Sequence, residues 1–579
     1  MKKILLGFCT GLVFLALNFS TPSVALETEI EETVDNASLA GSFLAAQIAG
    51  RDNDDSAAVA FYSRAVSLDP ENVELKRNLF VALMANGKIS DAIAIADAVQ
   101  GGGNPVFLAK IALGVEALRK RSWTKVPLAL ADIRGNDLNK LTAGIIKSWA
   151  LIGAGDLKGA IANAEEIKGP DWLTLVRDYH MGLMFAASGD NKNAAVRFSK
   201  VLEKRQLASV LTETYARAIE ALVRSEIRAG NKDKAISALT KGSRFLPDHA
   251  AFTALQRAMG DEKAVTPLVT SPQEGAAELL FNIASAIGRE GGTPFAKTHL
   301  QLANYLNGGI DVISFALAGI YERQKHYVDA NQLLETITEL SPLFHRASIA
   351  KALNLSSIGE KDQAIVSLRE LIAGSPKNLT TYMTLGALFS RDKNYTEAAE
   401  IYDLAVAEIG APQPYHWNLF FRLAIARERL DHWDQAEPNF KKALELFPNQ
   451  PDVLNYLGYS WIDKGIHLDE GVAMIRKAVE LKPRSGYIID SLGWAHYKLA
   501  DYDQAVRELE RAVQLMSQDA TVNDHLGDAY WKVGRKLEAT FQWKHAINSK
   551  PEPAEKAKIE KKLQHGLVDE TDDTAQNAN

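Results

Sequence analysis

Small, aromatic and proline positions recur along the chain in one fixed order. A small residue is followed one helical turn later by an aromatic or leucine side chain, then by Ala, and then by Pro. Pairs such as Leu457-Gly458 and Leu492-Gly493 precede these sets. The period of about 34 residues predicts two antiparallel helices in each unit. Three clear sets are Ala58, Tyr62, Ala65 and Pro70; Ala436, Phe440, Ala443 and Pro448; and Ala539, Trp543, Ala546 and Pro551.

Each position in this order has a physical reason. Gly in the first helix and Ala in the second let the two backbones approach closely. The aromatic residue lies on the same helix face one turn further on and fills the space between the helices. Pro ends the second helix. Gly is expected in the turn between helices, where positive φ is often required, at Gly87, Gly155, Gly189, Gly230, Gly359 and Gly534.

This spacing resembles that of the tetratricopeptide repeat family over almost the whole chain after its N-terminus. The resemblance implies an all-α fold, an α-solenoid of about fourteen helical hairpins. Units begin near 39, 73, 107, 141, 175, 216, 277, 311, 345, 379, 417, 451, 486 and 520. Such hairpins share their apolar faces with their neighbours. The trough that they enclose is expected to be free to hold another polypeptide.

The register of the repeats fails between Pro247 and Ala277. Either this segment joins two superhelical halves, or it is an eroded repeat with unchanged stacking. A second seam is the stretch 410–414, which carries two prolines. The predicted organisation is a signal peptide (1–25), a polar segment (26–38), an N-terminal array (39–249), a junction (250–276), a middle array (277–410), a C-terminal array (411–553), a capping helix (554–567) and a disordered acidic tail (568–579).

The N-terminus has the pattern of an export signal. Lys2 and Lys3 precede an apolar run, and the small residues around Ala25 fit a signal peptidase site. The sequence therefore predicts cleavage after Ala25 and a periplasmic protein without a transmembrane segment. The alternative is an uncleaved segment that anchors the chain to the inner membrane. Cys9, the only cysteine, lies inside the apolar run, so no disulfide or thiolate metal site is expected in the remaining chain.

Charge and motifs argue against several functional classes. The formal net charge of −7 argues against nucleic acid as the main partner. The sequence contains no phosphate-binding glycine loop, no nucleophile elbow, no dinucleotide fingerprint and no zinc-protease motif. The histidines are scattered, although His496 and His525 lie on successive first helices. The chain is therefore expected to have no catalytic residues, no metal site and no cofactor.

Binding is expected on the inner wall, which the first helices form in this family. The last three units place an aromatic ladder there, interrupted by carboxylates. Large aromatic side chains are frequent anchors of protein interfaces. The alternative is that these rings fill gaps between adjacent first helices and belong to the core. The predicted groove residues are Tyr456, Tyr459, Tyr487, Trp494, Tyr497, Trp531, Asp490, Asp524 and Asp528.

Four basic residues lie near the predicted groove: Arg422, Arg429, Lys498 and Lys532. They are either solvated surface charges or a site for a peptide carboxylate. The arrangement of Lys and Asn by which some repeat proteins of this family bind a carboxylate is not reproduced.

The stretch 452–551 has a closer resemblance. Asn455-Tyr456-Leu457-Gly458-Tyr459, Ile489-Asp490-Ser491-Leu492-Gly493-Trp494 and His525-Leu526-Gly527 are similar to the last repeats of periplasmic tetratricopeptide lipoproteins that partner a carboxyl-terminal processing protease. That resemblance implies an adaptor of the cell envelope, which delivers substrates such as cell-wall hydrolases to the protease. This chain lacks the lipid-acceptor Cys. The alternative is a scaffold for envelope assembly, secretion or polysaccharide export without proteolysis.

Overall fold

The computed structural model describes residues 34–99, 101, 103–133, 136–247, 249–259, 265–288 and 292–567. All regular secondary structure in this part of the chain is helical. The predicted signal peptide, the first eight residues of the polar segment and the acidic tail lie outside the described residues. The chain forms two compact units, residues 1–364 (unit 1) and residues 365–579 (unit 2).

Unit 1 consists of paired helices, with one helix at its end that continues into unit 2. The helices are α1 Leu39–Arg51, α2 Asp55–Leu68, α3 Val73–Asn86, α4 Ile89–Ile95, α5 Asn104–Arg119, α6 Lys125–Ala129, α7 Asp137–Gly153, α8 Leu157–Glu165, α9 Asp171–Ala187, α10 Asn191–Glu203, α11 Thr212–Arg228, α12 Lys232–Phe245, α13 Ala250–Ala258, α14 Pro272–Gly288, α15 Thr293–Leu306, α16 Asp311–Arg323, α17 Tyr327–Glu335, α18 Phe344–Ser357 and α19 Lys361–Gly374.

Unit 2 repeats the same hairpin. Its helices are α20 Leu379–Arg391, α21 Tyr395–Glu408, α22 Trp417–Glu428, α23 Trp433–Leu446, α24 Pro451–Asp463, α25 Leu468–Leu481, α26 Gly486–Lys498, α27 Tyr502–Leu515, α28 Ala520–Lys532, α29 Lys536–Asn548 and α30 Pro553–His565.

Local sequence explains how the hairpins form. Gly87 follows α3 with φ 83°, a left-handed conformation that only glycine adopts without strain. Inside the pairs, first-helix glycines admit the large ring of the second helix. A Cβ atom at Gly527 would lie 2.5 Å from the Trp543 ring, and one at Gly386 would lie 2.3 Å from the Tyr402 ring. The all-helical fold of stacked hairpins is therefore confirmed.

The predicted junction, residues 250–276, contains α13, two buried valines (Val265 and Val269) and the start of α14. The division between the compact units lies elsewhere, between Ala364 and Ile365. The finer domain boundaries drawn from the sequence remain predictions. In the described part of the chain, no helix combines the length and apolar character needed to cross a membrane.

The trough of unit 1 is occupied by the chain itself. Helix α14 packs across the first helices α5, α7, α9 and α11, and α15 packs against α3, α4 and α5. Residues 275–284 of α14 and 296–303 of α15 are buried without interruption. A helix that is buried on every side is an interior helix rather than part of a wall. The trough expected to be open along the whole array is therefore filled where α14 and α15 pack against α3, α4, α5, α7, α9 and α11.

Polar contacts hold this inner hairpin in place. Lys297 of α15 is 2% exposed, forms an ion pair with Asp55, and donates a hydrogen bond to Gln324 Oε1 at 3.0 Å. Tyr305 Oη donates to Glu116 Oε2 at 2.9 Å. Asp55 and Glu116 lie on α2 and α5, far from α15 in sequence. These contacts therefore join the inner hairpin to two separate helices of unit 1.

Candidate functional site

The predicted site lies on three first helices of unit 2. Helices α24, α26 and α28 stand side by side, and α30 packs on α29 at the end of the row. Each first helix carries predicted groove residues, so the stacking of the repeats brings them to one wall.

Tyr456 and Tyr459 lie on α24 and are half-buried. The Tyr456 ring stacks on Phe440 with centroids 5.2 Å apart, and its hydroxyl donates to Glu428 Oε2 at 3.0 Å. Tyr459 packs against the apolar cluster that contains Ile475. Burial raises the pKa of Tyr459 to about 12. Both hydroxyls therefore stay protonated at neutral pH and act as hydrogen-bond groups.

Tyr487 lies at the start of α26, away from the other rings. It is 46% exposed, and its hydroxyl bonds to the Asp452 carboxylate of the preceding first helix. Lys482 binds the same carboxylate at 2.9 Å. Tyr487 therefore belongs to a surface polar cluster.

Trp494 is the centre of the wall. Its ring is nearly parallel to that of Tyr497, with centroids 4.6 Å apart, and stacks on His525 of the next first helix at 3.9 Å. Lys498 Nζ lies 5.6 Å from the Trp494 ring centroid. Trp494 remains half-buried. The three stacked rings form a rigid, partly exposed apolar surface of the kind that anchors protein interfaces.

Asp490 is buried and holds His525. Its Oδ1 lies 3.0 Å from His525 Nδ1. Burial lowers the pKa of His525, but the charge of Asp490 outweighs that effect, and the resulting pKa is above the ordinary value. The predicted groove residue Asp490 therefore orients an imidazole and faces the interior of the wall.

Asp524 and Asp528 meet the capping helix. Lys562 of α30 donates to Asp524 at 2.7 and 2.9 Å and to Asp528 at 2.7 Å. Asp528 is 4% exposed and also accepts from Trp543 Nε1 at 2.9 Å. Burial raises the pKa of Asp528, and the charge of Lys562 opposes that rise. These carboxylates hold the last helix on the array.

Trp531, the last predicted ring, packs inward at the same end. Its ring lies 5.4 Å from that of Trp543, and Gly566 approaches it so closely that a Cβ atom there would lie 2.1 Å from Trp531 Cζ2. The structure thus separates Tyr487 and Trp531 from the cluster of Trp494 and Tyr497. Whether the whole set binds a partner remains a prediction.

Two of the basic residues near the wall have acidic neighbours. Arg429 lies 3.6 Å from Glu428, and Lys498 lies 3.7 Å from Asp463. His496 lies 3.3 Å from Asp501. Across the described ranges, no group of three His, Cys, Asp or Glu side chains is arranged to hold a metal ion.

His525, which stacks on Trp494 and contacts Asp490, was not among the groove residues predicted from the sequence. A signal for it exists elsewhere in the chain: Trp149 of α7 bonds to His180 of α9, which follows it by 31 residues. His525 follows Trp494 by the same number, and a small residue precedes each Trp, Ser148 in one case and Gly493 in the other. The same Trp–His spacing thus occurs in both units, although Trp149 and His180 meet edge to face whereas Trp494 and His525 stack.

In unit 1 this pair is completely covered. Trp149 and His180 are both 0% exposed. Helix α14 covers them, and a Cβ atom at Gly275 would lie 2.1 Å from Trp149 Cε2. Trp149 Nε1 contacts His180 Nδ1 at 3.3 Å. Burial lowers the pKa of His180 to about 4, so this imidazole is neutral at pH 7.

A buried ion pair lies beside that contact. Glu278 of α14 accepts from Arg217 of α11 at 2.7 and 2.5 Å and from the Tyr179 hydroxyl at 2.7 Å. Glu220 lies 3.5 Å from Arg217. Burial raises the pKa of Glu278, but Arg217 outweighs that effect and holds the pKa below its ordinary value. Arg217 of the wall of unit 1 is therefore paired with the carboxylate of Glu278 on the inner helix α14.

Family models of the tetratricopeptide repeat (TPR) match residues 52–101 and 421–485. The chain contains tetratricopeptide repeats. A curated relative, the TPR repeat-containing protein PA4667 of Pseudomonas aeruginosa, is 25% identical over 201 residues, which cover 34% of this chain and 33% of the relative. The match thus spans about a third of that relative's length.

Solved structures with similar chains include MamA, YrrB and the Cut9–Hcn1 complex. The crystal structure of MamA is 20% identical and covers 29% of this chain and 95% of its own, with a TM-score of 0.26. YrrB, described as a TPR protein with an unusual peptide-binding site, is 21% identical, with coverage of 29% and 84% and a TM-score of 0.25. The Cut9–Hcn1 structure is 11% identical, with coverage of 94% and 99% and a TM-score of 0.37.

Tetratricopeptide repeats are protein-interaction scaffolds, and their presence points to a scaffold rather than an enzyme. These similarities support protein binding in general. A role as a protease adaptor remains a prediction from the sequence.

Proposed function

We propose that unit 2 binds partner polypeptides along the wall formed by α24, α26 and α28. The observation that carries this proposal is the stacked group of Trp494, Tyr497 and His525, which is rigid and only partly buried. Stacked rings of this kind supply a large apolar contact area with little loss of side-chain entropy on binding. In unit 1, the wall formed by α3, α5, α7, α9 and α11 is instead covered by the chain's own helices α14 and α15.

The proposal has a finer part. We infer that the protein acts in the bacterial cell envelope as an adaptor that brings substrates, such as cell-wall hydrolases, to a carboxyl-terminal processing protease. The apolar N-terminal run and the resemblance of residues 452–551 to the adaptor family support this part. Periplasmic location after signal cleavage belongs to the same proposal.

Site-specific photo-crosslinking tests both parts. A benzophenone amino acid replaces Tyr459 or Tyr497 on the wall, and Phe541, which is 57% exposed on the second helix α29, serves as the outward-facing control. Adducts formed in cells are identified by mass spectrometry. We expect adducts at both wall positions and fewer at Phe541.

The identity of the adducts decides between the finer alternatives. A processing protease or its substrates among the wall adducts supports the adaptor role. Adducts only with secretion or assembly components replace it with the scaffold role. Equal labelling at Phe541 and at the wall contradicts the location of the binding site.

A further inference from the structure

The inner helix of unit 1 provides an internal example of an occupied wall. Helix α14 places Gly275 against the fused six-membered ring of Trp149, at the pair formed by Trp149 and His180. Beyond Gly275, the helix buries every residue to Ala284, and all of these are apolar except Glu278 and Asn282. Only a residue without a bulky side chain fits over this indole. The wall therefore accepts an α-helix whose contact point is glycine.

Unit 2 carries the same spacing at Trp494 and His525, and in its described part the Trp494 helix packs mainly on helices of its own and the adjacent repeats. Trp494 is half-buried, whereas Trp149 has no exposed surface. The two pairs have equal spacing, and Gly182 and Gly527 each follow the histidine by two residues. The repeat positions are therefore equivalent, although the rings meet differently. Trp149 and His180 lie edge to face and are joined by a hydrogen bond, whereas Trp494 and His525 stack. The covering helix α14 is a further difference.

The basic residue near the histidine has different acidic partners in the two walls. Lys562 follows His525 by as many residues as Arg217 follows His180. Arg217 takes its carboxylate from Glu278 of the inner helix, whereas Lys562 already binds Asp524 and Asp528 of its own wall. An additional carboxylate at this point of unit 2 would meet two others. A helix that binds here therefore needs a neutral residue where α14 has Glu278.

We infer that the wall around Trp494 and His525 is a seat for an α-helix of the partner protein, one that presents Gly to Trp494, mainly apolar residues beyond it, and a neutral residue toward Lys562. This inference rests on the proposed function and specifies the chemistry of the partner. An extended peptide is the alternative that the experiment distinguishes.

The probe is a fluorescein-labelled peptide with the sequence of residues 272–288 and the change Glu278→Gln. The full-length protein is used, because its own α14 fills the trough of unit 1. We expect one binding site by fluorescence anisotropy and a gain of helical circular dichroism in the bound peptide. A peptide with Gly275→Leu should bind at least about tenfold more weakly, because its side chain meets the indole. The unmodified peptide with Glu278 should also bind more weakly.

Protein variants locate the site. Trp494→Ala should weaken binding by about tenfold or more, whereas Trp494→Phe should retain part of it and Phe541→Ala all of it. Circular dichroism of each variant verifies that the repeats remain folded. Absence of peptide binding, binding unaffected by Trp494→Ala, or a bound peptide without helix would overturn the inference. If wall crosslinks at Tyr459 and Tyr497 persist in that case, the proposed function stands and only the helical partner is wrong.

Discussion

Single contacts decide how closely the inner helix of unit 1 can approach the wall. Gly275 of α14 lies directly against the buried Trp149 ring. The helix can approach the wall this closely because glycine has no Cβ atom. Close packing makes such a site sensitive to a small increase in volume, because neither the indole nor the helix has space to move into.

Gly275→Ala should therefore destabilise unit 1, by about 1–3 kcal/mol. The matched control is Gly50→Ala, in α1, where an added Cβ meets no atom within 4 Å. That change should leave stability unchanged or raise it by up to about 1 kcal/mol, because alanine favours helix more than glycine. Hydrogen exchange of amides in α7 and α14 measures the first effect, and exchange in α1 measures the second. Equal effects of the two variants would contradict the close contact.

Glu278 is a second single residue on which the inner helix depends. Glu278→Gln leaves the Arg217 guanidinium, which is 6% exposed, with only the more distant Glu220 as its carboxylate neighbour. We expect a loss of about 3 kcal/mol, the lower end of the range for breaking a buried pair. Glu480→Gln, which removes an exposed partner of Lys477, should change stability by less than about 0.5 kcal/mol. Urea unfolding of both variants provides the comparison, and similar midpoints would show that the buried pair contributes little.

At the scale of whole helices, α30 closes the array through one lysine. Ile559 is its buried apolar residue, and Lys562 joins it to two carboxylates of α28. Since Asp528 is buried, its charge depends on that lysine for compensation.

Lys562→Met should weaken the docking of α30 by about 1–3 kcal/mol, because it leaves Asp528 buried with Trp543 as its remaining hydrogen-bond donor. Lys558→Met, on an exposed position of the same helix, should change stability by less than about 0.5 kcal/mol. Hydrogen exchange in α28 to α30 measures both. Unchanged exchange in the Lys562 variant would mean that apolar contacts alone hold the helix.

The paired helices could be predicted from the sequence because each hairpin needs the same local devices. Gly527 next to Trp543 and Gly87 in a turn are requirements of one repeat and its nearest neighbour, and such local patterns are visible in the sequence. The period is therefore enough to place most helices.

The position of α14 and α15 could not be predicted in the same way. The spacing of α14 and α15 continues the repeat pattern, which predicts a first helix near 277. What distinguishes them is burial on every side, over residues 275–284 and 296–303. A polar residue within that run, Glu278, also pairs with Arg217 at a distance of 61 residues. Contacts between repeats so far apart follow from the path of the whole unit, which a local pattern does not specify.

The candidate site was predictable in part for the same reason. The period places Trp494 and Tyr497 on a first helix, where the structure also has them. It carries no information about the partner of each carboxylate: Asp490 holds His525, and Asp524 and Asp528 hold Lys562. These pairings depend on the neighbouring repeat and on the capping helix.

Considered as a whole, the chain contains in each unit a Trp–His pair in which the histidine follows the tryptophan by 31 residues, and the two histidines have opposite electrostatic environments. Burial lowers the pKa of His180 to about 4, whereas the charge of Asp490 prevails over burial and raises that of His525. In the unfolded chain both titrate near the ordinary value of about 6.5. Between pH about 4 and about 6.5, folding therefore releases a proton from His180. Between pH about 6.5 and the raised pKa of His525, folding takes up a proton at His525.

The two units should accordingly respond to pH in opposite directions. The contribution of His180 to unit 1 is present above pH about 6.5 and is lost as the pH falls toward 4, by at most about 3 kcal/mol. The contribution of His525 to unit 2 is fully present below pH about 6.5 and is lost as the pH rises through its raised pKa. Hydrogen exchange, corrected for its intrinsic pH dependence, measures the protection of α9 and α28 separately. His180→Phe should remove the first dependence and Asp490→Asn the second, so each variant controls for titration elsewhere. Because the charge of Asp490 beside His525 separates the two cases, a parallel pH response of α9 and α28 would contradict the assignment of His180 as a buried neutral imidazole and His525 as a carboxylate-bound one.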